Sequence, residues 1–404
     1  MPKVSSKASK IIESPIREII AKIEKAGDDP SIISLGGGAS NIHPPAELIT
    51  FLKEKLEENP QKIAAYGSTK GHPNIRKAIS EYIYQEQNIK IDPSSELMLT
   101  TGSTEGIFLA MEALIEQNDE VILADPTYCY AEPLTLLGAT IIPIKVELEK
   151  NFQLDITKIK NAITNKTKLI ILLSPDNPTG RMITKEIIEQ IILLAKKHDF
   201  WIISDETYQD LTYSKKHYSV RVLAEQLDAK NNIITCCSFS KSLCIPGLRI
   251  GYIYGPKSVI EITSVLRQYT TMFPSQPSQL LAKRIVNNNA EIKKEFIRKI
   301  LLPEYKKRRE SMDKCLKEFL PKGKYNLPDG AFYFFVDFSY YINKKEFKTS
   351  KEFCEKLFEE EQVVVIPGSF FGKESKNFIR LTFAAENGDR IKEGIERISR
   401  FVNH

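Results

Sequence analysis

The sequence predicts an α/β protein, in which a large domain carries a mostly parallel seven-stranded sheet flanked by helices and a smaller domain is of the α+β type. Between about residue 95 and residue 255, short β-branched runs alternate with longer amphipathic stretches, which is the pattern of βαβ units. After about residue 285 the chain becomes highly charged. Its 404 residues suffice for two or three domains of roughly 100 to 200 residues.

The predicted strands of the large sheet are short apolar runs, several of which end at polar residues. They are Leu97 to Thr101, Glu120 to Ala124, Thr140 to Val146, Leu169 to Leu173, Trp201 to Ser204, Ile233 to Cys237 and Arg249 to Tyr254. Apolar side chains at helical spacing predict crossover helices between strands. These helices are Thr104 to Gln117, Tyr130 to Leu137 and Thr184 to Lys197, the last with Thr184 as its N-cap.

The remainder of the chain is predicted to form the smaller domain. Glu291 to Leu320 is a charged helical stretch that is interrupted only at Pro303 and connects the two domains. Three strands follow between charged helices: Ala331 to Asp337, Gln362 to Ile366 and Phe378 to Phe383. We therefore expect a large domain over residues 46–290, and a small domain made of residues 1–45 and 291–404.

Composition and charge exclude several classes of protein. The formal charge is 57 − 52 = +5 and the charges of both signs are interleaved, which predicts neither nucleic-acid nor membrane binding. No apolar run approaches the roughly 18 residues of a membrane span. The first ten residues carry lysines but no apolar signal region follows. The six cysteines contain no CxxC pair, so we expect neither zinc nor disulfides and favour the cytoplasm.

Candidate ligand-binding residues follow the predicted strands, where ligands of open α/β sheets bind. Gly102, Ser103 and Thr104 open a helix, whose backbone N–H groups favour an anion such as phosphate. Asn177 lies in the loop Ser174 to Gly180, and Asp205 ends a strand with Tyr208 three residues later. Each feature has an ordinary alternative, since such residues also form turns and helix caps.

The segment Ser238-Phe239-Ser240-Lys241 follows the next strand, and Pro246-Gly247-Leu248-Arg249 comes shortly after it. A lysine at a strand end, among hydroxyls and near an arginine, is poorly explained as a solvated surface charge. This combination indicates a Schiff-base lysine beside a phosphate.

Together these motifs resemble the fold-type I pyridoxal-phosphate-dependent aminotransferases of class I/II, in register from about residue 14 to residue 400. The resemblance rests on the order of five motifs, namely Asn-Pro-Thr-Gly, Asp-x-x-Tyr, Ser-x-Ser-Lys, Pro-Gly-x-Arg-x-Gly and Ile379-Arg380-Leu381. It implies that Lys241 binds pyridoxal 5′-phosphate and acts as the general base. It also implies that Asp205 pairs with the pyridine nitrogen.

The resemblance assigns further roles around the cofactor. Asn177 and Tyr208 match the donors to the 3′ oxygen of the ring, and Tyr128 matches the aromatic residue that stacks on it. The residues that match the phosphate site are Ser103, Thr104, Ser238 and Arg249. Tyr66 matches the tyrosine that reaches the phosphate of the neighbouring subunit, which implies a homodimer with shared active sites.

The substrate side of the site is predicted in the same way. Arg380 matches the arginine that binds the α-carboxylate as a bidentate fork, and Gly38, in a triple glycine that could otherwise be a linker, matches the residue beside it. Arg17 resembles a residue of the aminoadipate and kynurenine branch that meets a distal carboxylate, but it could equally be an exposed helix charge. Glu105 lies beside the predicted phosphate site, so its side chain must point away.

The predicted function is transfer of an amino group from an L-amino acid to a 2-oxo acid, with 2-oxoglutarate as the expected acceptor, by a ping-pong mechanism. One alternative is a C–S lyase that uses the same cofactor for β-elimination, since both need Lys241, Asp205 and Arg380. Another is a non-enzymatic regulator, which the roughly 35 residues before Gly36 are too few to support with a winged helix.

Overall fold

The structure is a computed structural model. It describes residues 29–403, together with Ser5 and Ser9. Arg17 lies outside the described residues. Among those that are described, no helix is both long enough and apolar enough to cross a bilayer.

A seven-stranded sheet forms the centre of the large unit, as the sequence predicts. Its strands, in sequence order, are β2 (Leu97–Thr101), β3 (Glu120–Asp125), β4 (Thr140–Lys145), β5 (Thr167–Leu173), β6 (Trp201–Asp205), β7 (Ile233–Ser238) and β8 (Ile250–Tyr254). Their spatial order is β2-β8-β7-β6-β5-β3-β4. Strand β8 is antiparallel to both neighbours, whereas the other pairings are parallel.

Both faces of this sheet are buried. Along β5, Leu169, Ile171 and Leu173 join one hydrophobic cluster, whereas Ile170 and Leu172 join the other. Successive side chains of a strand point to opposite faces, so continuous apolar runs are what a sheet covered on both sides requires. This burial explains why the strands were readable in the sequence as β-branched runs without alternation.

Helices cover the two faces and build the rest of the chain. They are α1 (Ala46–Glu58), α2 (Pro60–Ala64), α3 (Pro73–Gln87), α4 (Gly102–Leu114), α5 (Ala131–Leu137), α6 (Ile156–Ala162), α7 (Lys185–His198), α8 (Val220–Gln226), α9 (Lys257–Gln268), α10 (Gln276–Phe296), α11 (Leu302–Phe319), α12 (Ser339–Lys344), α13 (Ser350–Glu361) and α14 (Gly388–Asn403). Thr184 is the N-cap residue of α7, although its side chain makes no capping hydrogen bond.

The long helical stretch differs in detail from the prediction. Residues Asn287 to Ala290 of α10 depart from helical geometry, and a π-helical segment at Ile297–Leu301 joins α10 to α11. Pro303 is the second residue of α11, directly after this π-helical segment. The interruption therefore precedes the proline.

Two small sheets complete the fold. Strands β9 (Tyr333–Asp337), β11 (Ile366–Pro367) and β12 (Phe378–Thr382) form an antiparallel sheet of order β11-β12-β9. Strand β1 (Ile33–Ser34) pairs in parallel with β10 (Val363–Val364), so the predicted strand Gln362 to Ile366 is split between two sheets. The β1–β10 pairing joins the beginning of the described chain to its tail, while the exact domain boundaries stay a prediction.

Candidate active site

The predicted site residues converge because of the topology of the large sheet. Strands β2, β5, β6 and β7 are mutually parallel, so their carboxyl ends lie at one edge. Strand β8 is antiparallel to β7, and Arg249, which precedes it, therefore lies at the same edge. Residues more than a hundred positions apart in the chain meet there.

Lys241 projects into this edge from the segment after β7. Its Nζ donates to the backbone carbonyl of Gly38 (2.7 Å) and lies about 6 Å from the ring centroids of Tyr208 and Phe332. Burial lowers the pKa of the lysine to about 8, and the positive charges of Arg380 and Arg249 act in the same direction. A substantial fraction of this amine is therefore neutral near physiological pH, as a nucleophile or base requires.

Asp205 is buried at the end of β6. Its Oδ2 accepts a hydrogen bond from the Tyr130 hydroxyl (2.8 Å), and its Oδ1 accepts one from the backbone N–H of Thr207 (3.0 Å). Burial raises the pKa of the carboxyl, and these two hydrogen bonds oppose that rise. Both partners are neutral, so the hydrogen bonds orient the carboxylate without compensating its charge.

Arg380 lies in β12 and is 1% exposed. Its Nη1 donates to Asn177 Oδ1 (2.9 Å) and its Nη2 donates to the Gly36 carbonyl (2.7 Å). The Nε is buried and has no hydrogen-bond partner within the described part of the chain. An arginine N–H that is buried and unpaired costs free energy unless a ligand accepts from it. This guanidinium is thus prepared for an anionic group.

Several tyrosines line the site, and the hydroxyls of two of them meet. The hydroxyls of Tyr208 and Tyr333 are 3.0 Å apart, and either can be the donor. The ring of Tyr128 packs edge-on against Tyr130 at 5.5 Å between centroids. Burial raises the pKa of Tyr128 to about 12 and that of Tyr208 well above its ordinary value, so both keep their protons and can act as donors.

The predicted phosphate residues surround the start of α4. Gly102, with φ +76°, lies against the Arg249 guanidinium so closely that a Cβ would collide with it. Arg249 also donates to the carbonyls of Pro246 (2.9 Å) and Thr101 (3.3 Å). Ser103 accepts from Thr207 (2.9 Å), which joins the helix N-terminus to the strand end at Asp205. The dipole of α4 and this arginine both favour an anion here.

The hydroxyls of the remaining phosphate candidates differ in their surroundings. Ser238 is buried and bonds to Ser240 (2.9 Å) and to the Ile250 carbonyl (3.2 Å), while Thr104 is exposed. Glu105 turns back to accept from the backbone N–H of Thr101 (2.6 Å) and pairs with buried Arg267. That pairing lowers the pKa of Glu105 against the effect of burial, so Arg267 compensates its charge.

Tyr66 is the predicted residue that the described part of the chain does not bring into the cluster. Tyr66 is 84% exposed, and its ring packs edge-on against Phe273 (5.8 Å between centroids). Arg17 lies outside the described residues.

Sequence reasoning overlooked three residues at this edge. Tyr130 bonds to Asp205, Tyr333 bonds to Tyr208, and Phe371 lies with its ring 5.1 Å from the Arg380 guanidinium carbon. Tyr130 could have been suspected from its place two residues after Tyr128. Tyr333 and Phe371 come from a separate sheet and the loop beyond it, where the sequence offers only aromatic residues in a buried run.

Comparisons with known proteins agree with this geometry. The family model described as aminotransferase class I and II matches residues 31–398. The chain belongs to this family. It is an aminotransferase, and its relatives extend over its whole length.

This aminotransferase is 31% identical to an aspartate aminotransferase of Pyrococcus abyssi over 95% of each chain, and 32% identical to one of Bacillus subtilis over 99% of each. Its structure is similar to that of Thermus thermophilus aspartate aminotransferase with maleate, with a TM-score of 0.90 and 27% identity over 99% of this chain and 100% of the other. An aromatic aminotransferase of Pyrococcus horikoshii gives a TM-score of 0.84 at 28% identity, covering 96% and 98%.

Proposed function

We propose that this aminotransferase holds pyridoxal 5′-phosphate through Lys241 and transfers an amino group from an L-amino acid to 2-oxoglutarate by a ping-pong mechanism. The observation that carries the proposal is the position of Lys241, with its pKa lowered to about 8, among residues suited to every part of that cofactor. The same family resemblance and the same contacts support the roles given below to the individual residues.

The proposed cofactor and substrate carry charges that complement the charged side chains of the site. Asp205 is a buried carboxylate whose hydrogen-bond partners are both neutral, which suits a ring nitrogen that carries a proton. Arg249 and the N-terminus of α4 lie together and suit a phosphate. Arg380 keeps an unpaired buried Nε–H, which suits a substrate carboxylate.

When bound, the cofactor supplies an electron sink for the electrons left on the substrate Cα. Lys241 then acts as the general base, because its neutral amine can take the proton from the substrate Cα and give it back later to complete the amino-group transfer. The positive charges of Arg380 and Arg249 help to keep that amine neutral. Asp205 stabilises positive charge at the ring nitrogen, and Tyr130 keeps the carboxylate in place by donating to it.

On the substrate side, Arg380 holds the α-carboxylate and Asn177 fixes the guanidinium through their 2.9 Å hydrogen bond. Gly38 lies between Lys241, which donates to its carbonyl, and the Tyr333 hydroxyl, which a Cβ at this position would meet at an ordinary contact distance of 3.5 Å. A side chain here would take up space beside the reacting carbon. Tyr208 and Asn177 act as donors to the 3′ oxygen of the cofactor.

The active unit is proposed to be a homodimer. Tyr66 packs on Phe273, and the adjoining segment exposes Tyr269 and Met272 to 84% and 51%. Exposed apolar residues of this size next to a phosphate site suit a second copy of the chain, whose site Tyr66 would complete. All the cysteines are free thiols, which fits the proposed cytoplasmic location.

The donor amino acid is the open part of this function. Relatives are named aspartate aminotransferase and, in Thermococcus litoralis, aromatic-amino-acid aminotransferase 2. We propose aspartate and aromatic amino acids as the first donors to test. Formation of glutamate from these donors and 2-oxoglutarate supports transfer, while a thiol, pyruvate and ammonia formed from a cysteine S-conjugate, without glutamate, would support the C–S lyase.

The cofactor proposal is tested by Lys241→Ala. After unbound cofactor is removed, purified enzyme given pyridoxal 5′-phosphate should show a visible band that shifts with pH, and the variant should show no such band. Lys185→Ala, which removes an exposed lysine of α7, is the matched control and should resemble the wild type. Wild-type protein that stays colourless, or a variant that keeps the band, would contradict the proposal.

The shared site is tested by mixing Lys241→Ala and Tyr66→Ala subunits. Each heterodimer then contains one site with native Lys241 and native Tyr66, so random mixing should restore about a quarter of the wild-type sites in a two-fold symmetric dimer. Activity that stays at the average of the two parent variants would contradict a site completed by Tyr66.

A further inference from the structure

Tyr333 connects two residues of the site that the sequence assigned to different tasks. It is the first residue of β9 and is 1% exposed. In the register of β9 and β12, Arg380 lies opposite Phe335 and Thr382 lies opposite Tyr333. Tyr333 and Arg380 are therefore diagonal neighbours on one face of this sheet, within reach of an aromatic ring.

The ring of Tyr333 lies against the guanidinium of Arg380. The distance from Arg380 Cζ to the centroid of this ring is 4.3 Å, and the distance from the same atom to the centroid of the Phe371 ring is 5.1 Å. A guanidinium that is desolvated against aromatic rings gains a favourable cation–π interaction. The two rings and the bonds to Asn177 and Gly36 leave the arginine little freedom to turn.

The hydroxyl of Tyr333 lies 3.0 Å from that of Tyr208. A tyrosine hydroxyl has one proton to donate. If Tyr208 gives its proton to the 3′ oxygen of the cofactor, then Tyr333 must be the donor between the two tyrosines. A hydroxyl that accepts a hydrogen bond becomes a stronger donor itself, so Tyr333 would strengthen the contact that Tyr208 makes.

We propose that Tyr333 is a positioning residue that links the carboxylate-binding Arg380 to Tyr208 beside the cofactor. Its ring holds the guanidinium in place, and its hydroxyl supports the donor to the 3′ oxygen. The inference rests on the proposed function, because it needs the cofactor next to Tyr208. The two halves of the side chain can be removed separately, which makes the two roles separable by experiment.

Tyr333→Phe removes the hydroxyl and keeps the ring. Weaker donation to the 3′ oxygen leaves more negative charge there to hold the neighbouring proton on the lysine–cofactor nitrogen. The pKa of that nitrogen, read from the visible absorbance of the holoenzyme between pH 5 and pH 10, should rise by about half a unit, the size expected for one neutral hydrogen bond. The KM for the amino acid should stay within about twofold, since the ring remains beneath Arg380.

Tyr333→Leu removes the ring as well. The same rise in the spectroscopic pKa should now be joined by an increase of about tenfold in KM for the amino acid, because Arg380 loses its aromatic partner. The matched control is Tyr213→Phe. Tyr213 lies with its ring 5.1 Å from the Arg309 guanidinium carbon, and its hydroxyl donates to the Ala331 carbonyl, so its loss should leave both readings unchanged.

The outcomes distinguish this inference from the proposed function. A wild-type protein without a titrating visible band overturns the proposed function and the inference with it. A wild-type band together with Tyr333→Phe and Tyr213→Phe titrations that coincide with it overturns the inference alone. Tyr333→Phe changes no volume in the core, so this test stands even if Tyr333→Leu fails to fold.

Discussion

Two buried carboxylates lie at the ends of neighbouring strands of the large sheet, and their charges have different partners. Asp176, in the loop after β5, is 0% exposed and forms an ion pair with Arg181, which is 2% exposed (3.2 Å). Asp205, at the end of β6, is 5% exposed and accepts hydrogen bonds from neutral groups of Tyr130 and Thr207. Burial raises the pKa of both carboxyls.

The difference between them indicates their roles. Arg181 also donates to the Phe152 carbonyl (2.8 Å), and Asp176 accepts from the backbone N–H of Thr179 (3.2 Å). These contacts fix the loop that carries Asn177. At Asp205 the charge is oriented but not compensated, and such a charge is expensive to bury without a cationic ligand. The charge of Asp176 is paired within the fold, whereas we propose that the charge of Asp205 pairs with the cofactor.

The largest expected effect is on catalysis by Asp205→Asn. The variant keeps the shape of the side chain and an acceptor for the Thr207 N–H, but its NH2 group must donate to the Tyr130 hydroxyl, and the negative charge proposed to lie beside the ring nitrogen is removed. We expect kcat to fall by about 2 × 10²- to 5 × 10³-fold, from the roughly 3 to 5 kcal/mol typical of a broken buried charge pair. Steady-state rates of glutamate formation measure this. A decrease of less than tenfold would contradict the assignment of Asp205.

Asp176→Asn should act on stability instead. It leaves the Arg181 guanidinium buried without its partner, which should reduce the free energy of unfolding by about 3 to 5 kcal/mol. Urea unfolding of the ligand-free protein measures it. Glu189→Gln, which breaks an exposed pair with Lys185, is the control and should cost below about 1 kcal/mol. Equal losses in both variants would contradict the structural role of the buried pair.

Tyr130→Phe should have a smaller effect on activity. It removes the 2.8 Å hydrogen bond to Asp205, and a hydrogen bond to a charged group contributes about 1.5 to 3 kcal/mol. We expect kcat to fall by roughly tenfold. Since this bond lowers the pKa of Asp205, its loss should also move the acid limb of the pH–rate profile to higher pH.

Tyr325→Phe provides the control for that variant. The Tyr325 hydroxyl donates to Asp313 (2.9 Å) on helix α11, so its removal tests a tyrosine–aspartate contact of the same type away from the site. It should leave the profile unchanged. An acid limb that does not move in Tyr130→Phe would show that Tyr130 leaves the ionisation of Asp205 unaffected.

The smallest effect concerns the pH dependence of the ligand-free protein. The pKa of Asp205 is raised on folding, so its contribution to stability is present below its ordinary value near 3.8 and is lost as pH rises through the folded value. Asp205→Asn should therefore unfold at higher urea than wild type at pH 7, with the difference vanishing towards pH 3. A difference of the opposite sign would mean that the charge is compensated in the fold.

The sequence predicted most of the large sheet and the ends of its strands. Trp201 to Ser204 and Ile233 to Cys237 were readable because a sheet buried on both faces needs continuous apolar runs, and each observed strand extends only one residue further. The polar residues just after these runs, such as Asp205 and Lys241, therefore fell at the correct edge. Gln362 to Ile366 was misread, because a short apolar run cannot indicate that it divides between two sheets.

By itself, then, the sequence determined the fold class, the family and the residues whose chemistry is fixed by their motifs, because local apolar patterns and short motifs are written in consecutive residues. Only the tertiary structure decided how charges are shared. Asp176 and Asp205 are the same residue type at neighbouring strand ends. Their surroundings differ, because Arg181 pairs with Asp176 and the Tyr130 hydroxyl donates to Asp205, while the ring of Tyr333 lies against Arg380. Those surroundings depend on contacts between distant segments, and burial turns each such contact into a large difference in free energy.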